Sequence, residues 1–410
     1  MNNDIKILRA LAREYIAAAR EPRNEERRRL HTAVNDLKMI RPVVLIDEVP
    51  WEQMNDDGSL TCVCEDPFFR NHEWHLRASL YKYRRFPADM YLKPSIGVGK
   101  VVRNTGCGLG FKDEILKSDH KTSIVSHTYI DQTPDEASLE KIHLPVLTYD
   151  KETTLANWNK LGDAIGDILP VKIHGQGYVY FATWDDISRY HGPSNCLIDL
   201  ADRPEFMHAL VRKITAAKMA EVEQQEALGL FDDENDSLHC TPSLVSDLPG
   251  KIIGDKATRK NVWGRGMAQL FGSVSRDMHE EFDIDYMKNT IGTFGLSYYG
   301  CCEPLHNKVD IVAKIPNLRK IGCTPWADAD AEAEAVGKRF VLSLKPNPAS
   351  VASPTLDHGN LRKELKKILD ASHRYGCSCD ITLKDISTVA HRPQNLFEWE
   401  QIAMEMALNY

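Results

Sequence analysis

Residues 293–304 read TFGLSYYGCCEP, a run of strand-forming residues that stops abruptly at a glycine, two cysteines, a glutamate and a proline. Aromatic residues favour extended chain, and Pro304 cannot continue a hydrogen-bonded ladder. The stretch therefore predicts a short buried strand that delivers Gly300, Cys301, Cys302 and Glu303 to a surface. Other stretches repeat the pattern. RPVVLIDEVPW (41–51) closes on Asp47, Glu48 and Trp51, RFVLSLKPNP (339–348) on Lys345, and DITLKDIS (380–387) on Lys384 and Asp385.

VKIHGQGYVYF (171–181), CLIDL (196–200) and LRKIG (318–322) read as further strands. Helical text stands between some of them. A helix opens at ADRPEFMHALVRKI (201–214), where Pro204 suits a first helical turn and Asp202 its positive end, while Phe206, Leu210, Ile214 and Ala217 fall on one face. Residues 360–374 read as another helix. Strands alternating with helices imply a parallel sheet, and this many units in one chain favour an eight-stranded (β/α)8 TIM barrel, an α/β fold whose site lies where the strands end.

Ahead of the barrel, residues 4–20 place Leu8, Leu11 and Tyr15 on one helical face with Asp4 as a candidate cap, and 22–39 read as a second, charged helix. The expected division is a helical extension and lead-in over 1–75 and the barrel over 76–410. SIGVGKVVRNTGCGLGF (95–111) is glycine-rich, but its spacing fits neither a phosphate loop nor a dinucleotide fingerprint, and it reads as strand and turn.

The bulk numbers exclude several function classes. The 410 residues are 42% hydrophobic and 27% charged, with no apolar run long enough to cross a bilayer. A net charge of -8 argues against nucleic acid, which needs clustered positive charge. Lys6, Arg9, Arg13 and Glu14 interrupt the N-terminal apolar residues, unlike a secretory signal, so the expected location is the cytoplasm and the ten cysteines are expected as thiols.

Thiols beside a carboxylate suit zinc, yet no CxxC or HExxH spacing marks a complete site, so ligands would have to converge from separate strand ends. His239 and Cys240, Cys377 and Cys379, and Asp380 and Asp385 are the available partners. The bland alternative is packing, because adjacent residues of a strand face opposite sides and only one of Cys301 and Cys302 would then face the site. Lys384 and Asp385 interrupt a strand as charges that need a partner or a task. Lys345 poses the same choice. Trp51, and Trp263, Arg265 and Met267 of NVWGRGM, are candidates for lining a substrate cavity, against core packing as the alternative.

In order along the chain, the helix carrying PEFMH, the SVSRDMHEEFDIDYM segment, the LSYYGCC strand, VGKRFVLSLKPNP and the last strand before HRPQNLFEW resemble the uroporphyrinogen decarboxylase superfamily. The resemblance runs from about residue 155 to the C-terminus and points to the branch of corrinoid-dependent methyltransferases. Members of that branch carry a His-x-Cys-Gly strand end and a later cysteine that together hold zinc. Gly300-Cys301-Cys302-Glu303 matches that strand end with Cys302 at the cysteine position and no histidine, or, shifted by one residue, with Cys301 there and Tyr299 at the histidine, and Lys384-Asp385-Ile386 stands where the later cysteine would lie.

The resemblance implies a substrate-side methyltransferase that demethylates a small methylated compound, by preference an aryl methyl ether, and passes the methyl group to the cobalt of a separate corrinoid protein. Zinc would be held by ligands drawn from Cys302, Glu303, Cys301 and His239. Asp385, Lys384 and Glu48 would handle protons and orientation, and Trp51, Trp263, Arg265, Met267 and Lys345 would hold the substrate. A homodimer is expected from the superfamily. The alternative is a metal-free carboxy-lyase, with Lys345, Lys384 and Arg265 holding carboxylates, although the Arg-Gln-Ala-Gly-Arg motif of the decarboxylases is absent from the sequence.

Overall fold

A computed structural model describes residues 2–116, 126–232, 234 and 238–410. At its centre is a parallel sheet of β1 (Val43–Ile46), β2 (Tyr178–Phe181), β3 (Trp263–Gly266), β4 (Leu296–Tyr299), β5 (Leu318–Cys323), β6 (Val341–Leu344) and β7 (Ser378–Leu383). From β2 to β7 each strand pairs with the next in the chain, and β7 then pairs with β1, Val43 against Asp380 and Ile46 against Leu383. Every pairing is parallel, as connections through helices require.

The α/β expectation holds, whereas the closed ring of eight strands does not appear. Among the described residues β1 and β2 are not paired, and the sheet stops at seven strands. The open edge of β1 is occupied by other groups. The Val44 amide donates to Asp89 Oδ2 at 2.8 Å, the Asp89 amide donates to the Val44 carbonyl at 2.9 Å, and the Lys82 ammonium donates to the Ile46 carbonyl. Arg41 holds the Asp89 carboxylate in place with a two-point pair at 2.6 and 2.8 Å.

Alternation along each strand separates two environments. Val44, Ile46, Leu342, Leu344, Ile381 and Leu383 join one large apolar cluster with Leu396 and Trp399 of the helix Gln394–Ala407. The residues between them, Ser343, Asp380 and Thr382, are equally buried but polar. Asp380 accepts from Lys320 Nζ at 3.1 Å, Ser343 Oγ at 2.7 Å and Thr382 Oγ1 at 3.1 Å, and Lys320 Nζ also donates to Thr241 Oγ1 and the Pro242 carbonyl. A charge pair survives burial only when its remaining donors and acceptors are met in this way.

The helices Asn3–Ala19 and Pro22–Asn35 form as the periodicity predicts, with Leu8, Leu11 and Tyr15 buried. The cap differs: Asn2 caps the first helix, while the Asp4 carboxylate accepts the amides of Glu65 and Asp66. The helix Pro204–Leu228 buries the predicted face and ends at Gly229, whose φ of 66° suits glycine. CLIDL, expected as a strand, lies in the helix Pro193–Asp202, where Cys196 and Leu200, four residues apart, are the buried pair. Strand β1 belongs to the central sheet, so that sheet draws on both sides of the division at 75/76. No helix among the described residues is long and apolar enough to cross a membrane.

Candidate functional site

β4 ends at Tyr299, and Gly300 turns the chain with a φ of 112°, a conformation L-residues avoid. The cysteines that follow are therefore off the strand. Their sulfurs lie 3.8 Å apart, and both face Lys384 at the end of β7, whose Nζ is 3.3 Å from Cys301 Sγ and 3.4 Å from Cys302 Sγ. The opposite-face alternation of a strand does not apply to this pair. Asp385 completes the cluster, its carboxylate accepting from Lys384 Nζ and lying 3.6 Å from Cys302 Sγ. At the next strand end Glu48 Oε2 accepts the Asp385 amide at 2.9 Å.

The electrostatics divide the two thiols. The hydrogen bond from Cys302, aided by the charges of Arg265 and Lys384, pushes the Cys301 thiol down, so the pair shares one thiolate beside the ammonium. Cys302 is pushed up as the partner that keeps its proton. Burial pulls Lys384 down, but the cysteines and Asp385 outweigh it and hold the ammonium charged. Lys384 in turn outweighs the burial of Asp385 and keeps that carboxylate ionised. Glu48 and Asp385 take left-handed backbone conformations, φ 50° and 55°, which cost energy in residues other than glycine and cluster at functional sites.

A cavity of about 120 Å³ opens on this cluster, with Cys301, Cys302, Lys345, Lys384 and Asp385 as its polar lining and Pro325, Trp326, Pro346 and Pro348 as its apolar wall. Trp326, 66% exposed, is a feature the sequence reading passed over. Its signal was present, because TPW directly follows the strand LRKIGC, and the rule that polar or aromatic residues just past a strand end face the site applies there too.

The remaining candidates divide sharply. Lys345 lines the cavity while its ammonium donates to the Cys240 carbonyl and to Ser343 Oγ at 2.8 Å. Arg265 is fully buried beside the rings of Tyr180 and Tyr298, 4.5 and 5.2 Å from their centroids, and among the described residues its Nε and Nη2 have no hydrogen-bond partner. Met267 packs beside it, 3.8 Å from Arg265 Nη1. Trp263 is a core residue whose Nε1 donates to the Ser243 carbonyl. Trp51 stands apart, in an edge-to-face contact with Trp74 and Tyr81.

The four expected zinc ligands are not brought together. Glu303 turns inward, its two oxygens accepting the amides of Ala268 and Cys301 at 3.1 Å, and burial, then the Cys301 charge, pushes its carboxyl up to about 7. Lys384 already presents a positive charge to both cysteines. His239 faces elsewhere, with Nε2 3.4 Å from Glu48 Oε1. Its donor atom, one from Asp47 and the sulfur of Cys240 lie within 4.8 Å of one another.

No protein-family model matches the sequence, and no curated protein matches it. Among solved structures, the chain is similar to a methyltransferase from Methanosarcina mazei, at 12% identity over 92% of this chain and 98% of that one, with a TM-score of 0.47. Likeness at that level leaves the activity to be argued from the site.

Proposed function

We propose that the protein is a substrate-side methyltransferase of the uroporphyrinogen decarboxylase superfamily, acting on a small methylated compound, by preference an aryl methyl ether. The observation that supports this reading is the convergence of Cys301, Cys302, Lys384 and Asp385 on one small cavity that Trp326 also lines. The indole and the prolines suit a flat apolar body, and the charged lining suits the heteroatom that bears the methyl group. A corrinoid carried by a partner protein supplies the cobalt electron pair that takes the methyl group.

In that transfer the bond between methyl carbon and heteroatom breaks, and the departing oxygen keeps its electron pair. Lys384 is the group placed to hydrogen-bond that oxygen and steady its negative charge as a fixed ammonium, with Asp385 orienting the ammonium. The Cys301 sulfur, 3.3 Å from Lys384 Nζ, holds the ammonium in the cavity. No step is assigned to zinc at the cysteine pair, where Lys384 supplies the positive charge.

The test mixes the protein with cob(I)alamin and a panel of aryl methyl ethers, following methylcobalamin by absorbance and the freed phenol by chromatography. Methyl transfer should be seen with at least one ether and should fall about 100-fold in Lys384→Met, the loss expected when one charged donor to a developing oxyanion is removed. A second reading, a carboxy-lyase, is favoured by Lys345 and Lys384, two ammonium groups on the cavity lining that could hold a carboxylate. Release of carbon dioxide from a carboxylic acid, with no methyl transfer from any ether, would overturn the first reading in favour of the second.

A further inference from the structure

We infer that Asp47, His239 and Cys240 form a divalent-metal site of zinc type, separate from the cysteine pair at 301–302. The donor set is a carboxylate, an imidazole and a thiol, and zinc takes all three. Their donor atoms lie within 4.8 Å of one another. Bonds of about 2.0 to 2.3 Å place the ligands of one zinc ion roughly 3 to 4 Å apart, so small side-chain adjustments close the set.

The backbone explains how two consecutive residues serve one ion. In extended chain His239 and Cys240 would face opposite ways. Here they lie in a turn, with Leu238 bridged to Thr241 and Cys240 at a φ of 58°, which removes that alternation. Asp47 is oriented from two sides, Oδ2 accepting the Cys240 amide at 3.1 Å and Oδ1 accepting the Glu48 amide at 2.9 Å. Each oxygen keeps a further lone pair for a cation.

Three protein ligands leave a fourth position for an incoming molecule, the pattern of zinc sites that act on a ligand rather than only brace a fold. Asp47 lies on the wall of a second, larger cavity of about 1190 Å³, bordered by Leu45 of β1, Leu238 and Thr241, at the unpaired edge of β1. The site takes a small molecule with one metal-binding oxygen or nitrogen, entering from that side. Nothing in the inference depends on methyl transfer.

The experiment measures metal content of the full chain after equilibration with zinc and removal of the excess, for wild type, Cys240→Ser, His239→Asn and Cys302→Ala. A cobalt(II) form of each reports thiolate ligation by its charge-transfer absorbance. The expected result is about one metal per chain in wild type and Cys302→Ala, at least tenfold weaker retention in Cys240→Ser and His239→Asn, and no cobalt–thiolate band in Cys240→Ser. His239 is partly exposed, so His239→Asn reads the site even if a change at buried Cys240 disturbs folding. Metal lost from Cys302→Ala and kept in His239→Asn would overturn the inference, and so would a wild type that binds no zinc. Either result leaves the ether assay to judge methyl transfer separately.

Discussion

Two Lys–Asp pairs meet on or just past strand β7 with opposite fates. In its middle Asp380 meets Lys320, both wholly out of solvent, and hydroxyls of Thr241, Ser343 and Thr382 complete the set. Just past its end Lys384 meets Asp385, whose carboxylate is about half exposed and whose neighbours are two cysteine sulfurs and a cavity. The chemistry of the ions is the same. What differs is whether every bond is spent inside the fold or some are left for an incoming molecule, and that difference separates a structural pair from a working one.

Breaking the inner pair should give the largest effect. Lys320→Met leaves Asp380 charged and buried without its cation, and urea unfolding should show a loss of about 3–5 kcal/mol. A loss under about 1 kcal/mol would mean that the hydroxyls alone carry Asp380. The outer pair should respond in activity instead. Lys384→Met should cost about 100-fold in methyl transfer, about 2.7 kcal/mol in the barrier, with stability changed by less than about 1 kcal/mol. Asp385→Asn keeps the shape and weakens only the hold on Lys384, so about a tenfold loss is expected. If Lys384→Met unfolds the protein as readily as Lys320→Met, the contrast fails.

A third buried acid sharpens the contrast from the opposite side. Glu332 is fully buried, and burial pushes its carboxyl up to about 8 from 4.5 against the opposing pull of the Cys323 thiol beside it. Below 4.5 the group is neutral in the folded and the unfolded chain alike, and its contribution is fully present. As the pH climbs towards 8 the unfolded chain gives up the proton while the folded one retains it, so stability is lost. Between pH 6 and 7 the loss should be about 1 kcal/mol, and Glu332→Gln should flatten that slope in unfolding curves taken at both pH values.

The repeated layout of apolar run and polar terminus made the strand ends legible from sequence, and the structure places Cys301, Cys302, Lys384 and Asp385 around one cavity. Two kinds of information were hidden. Single strands do not reveal how far a sheet closes, because pairing of β1 with β2 depends on the path of the chain between them rather than on either strand's residues. Nor does spacing reveal the left-handed turns at Glu48, Cys240 and Asp385, which re-aim side chains that strand periodicity would point elsewhere. Glu303 shows the converse: a carboxylate beside two cysteines looks like a ligand, yet its oxygens serve backbone amides.

The groups along the outer edge of β1 also bear on how these molecules behave in a crowd. A strand with bare amides and carbonyls invites a strand from another chain, the first step of fibrous association. With Asp89 answering Val44 and Lys82 answering Ile46, that invitation is withdrawn. Two residues thereby allow the ring to stay open at its flank without making the opening sticky.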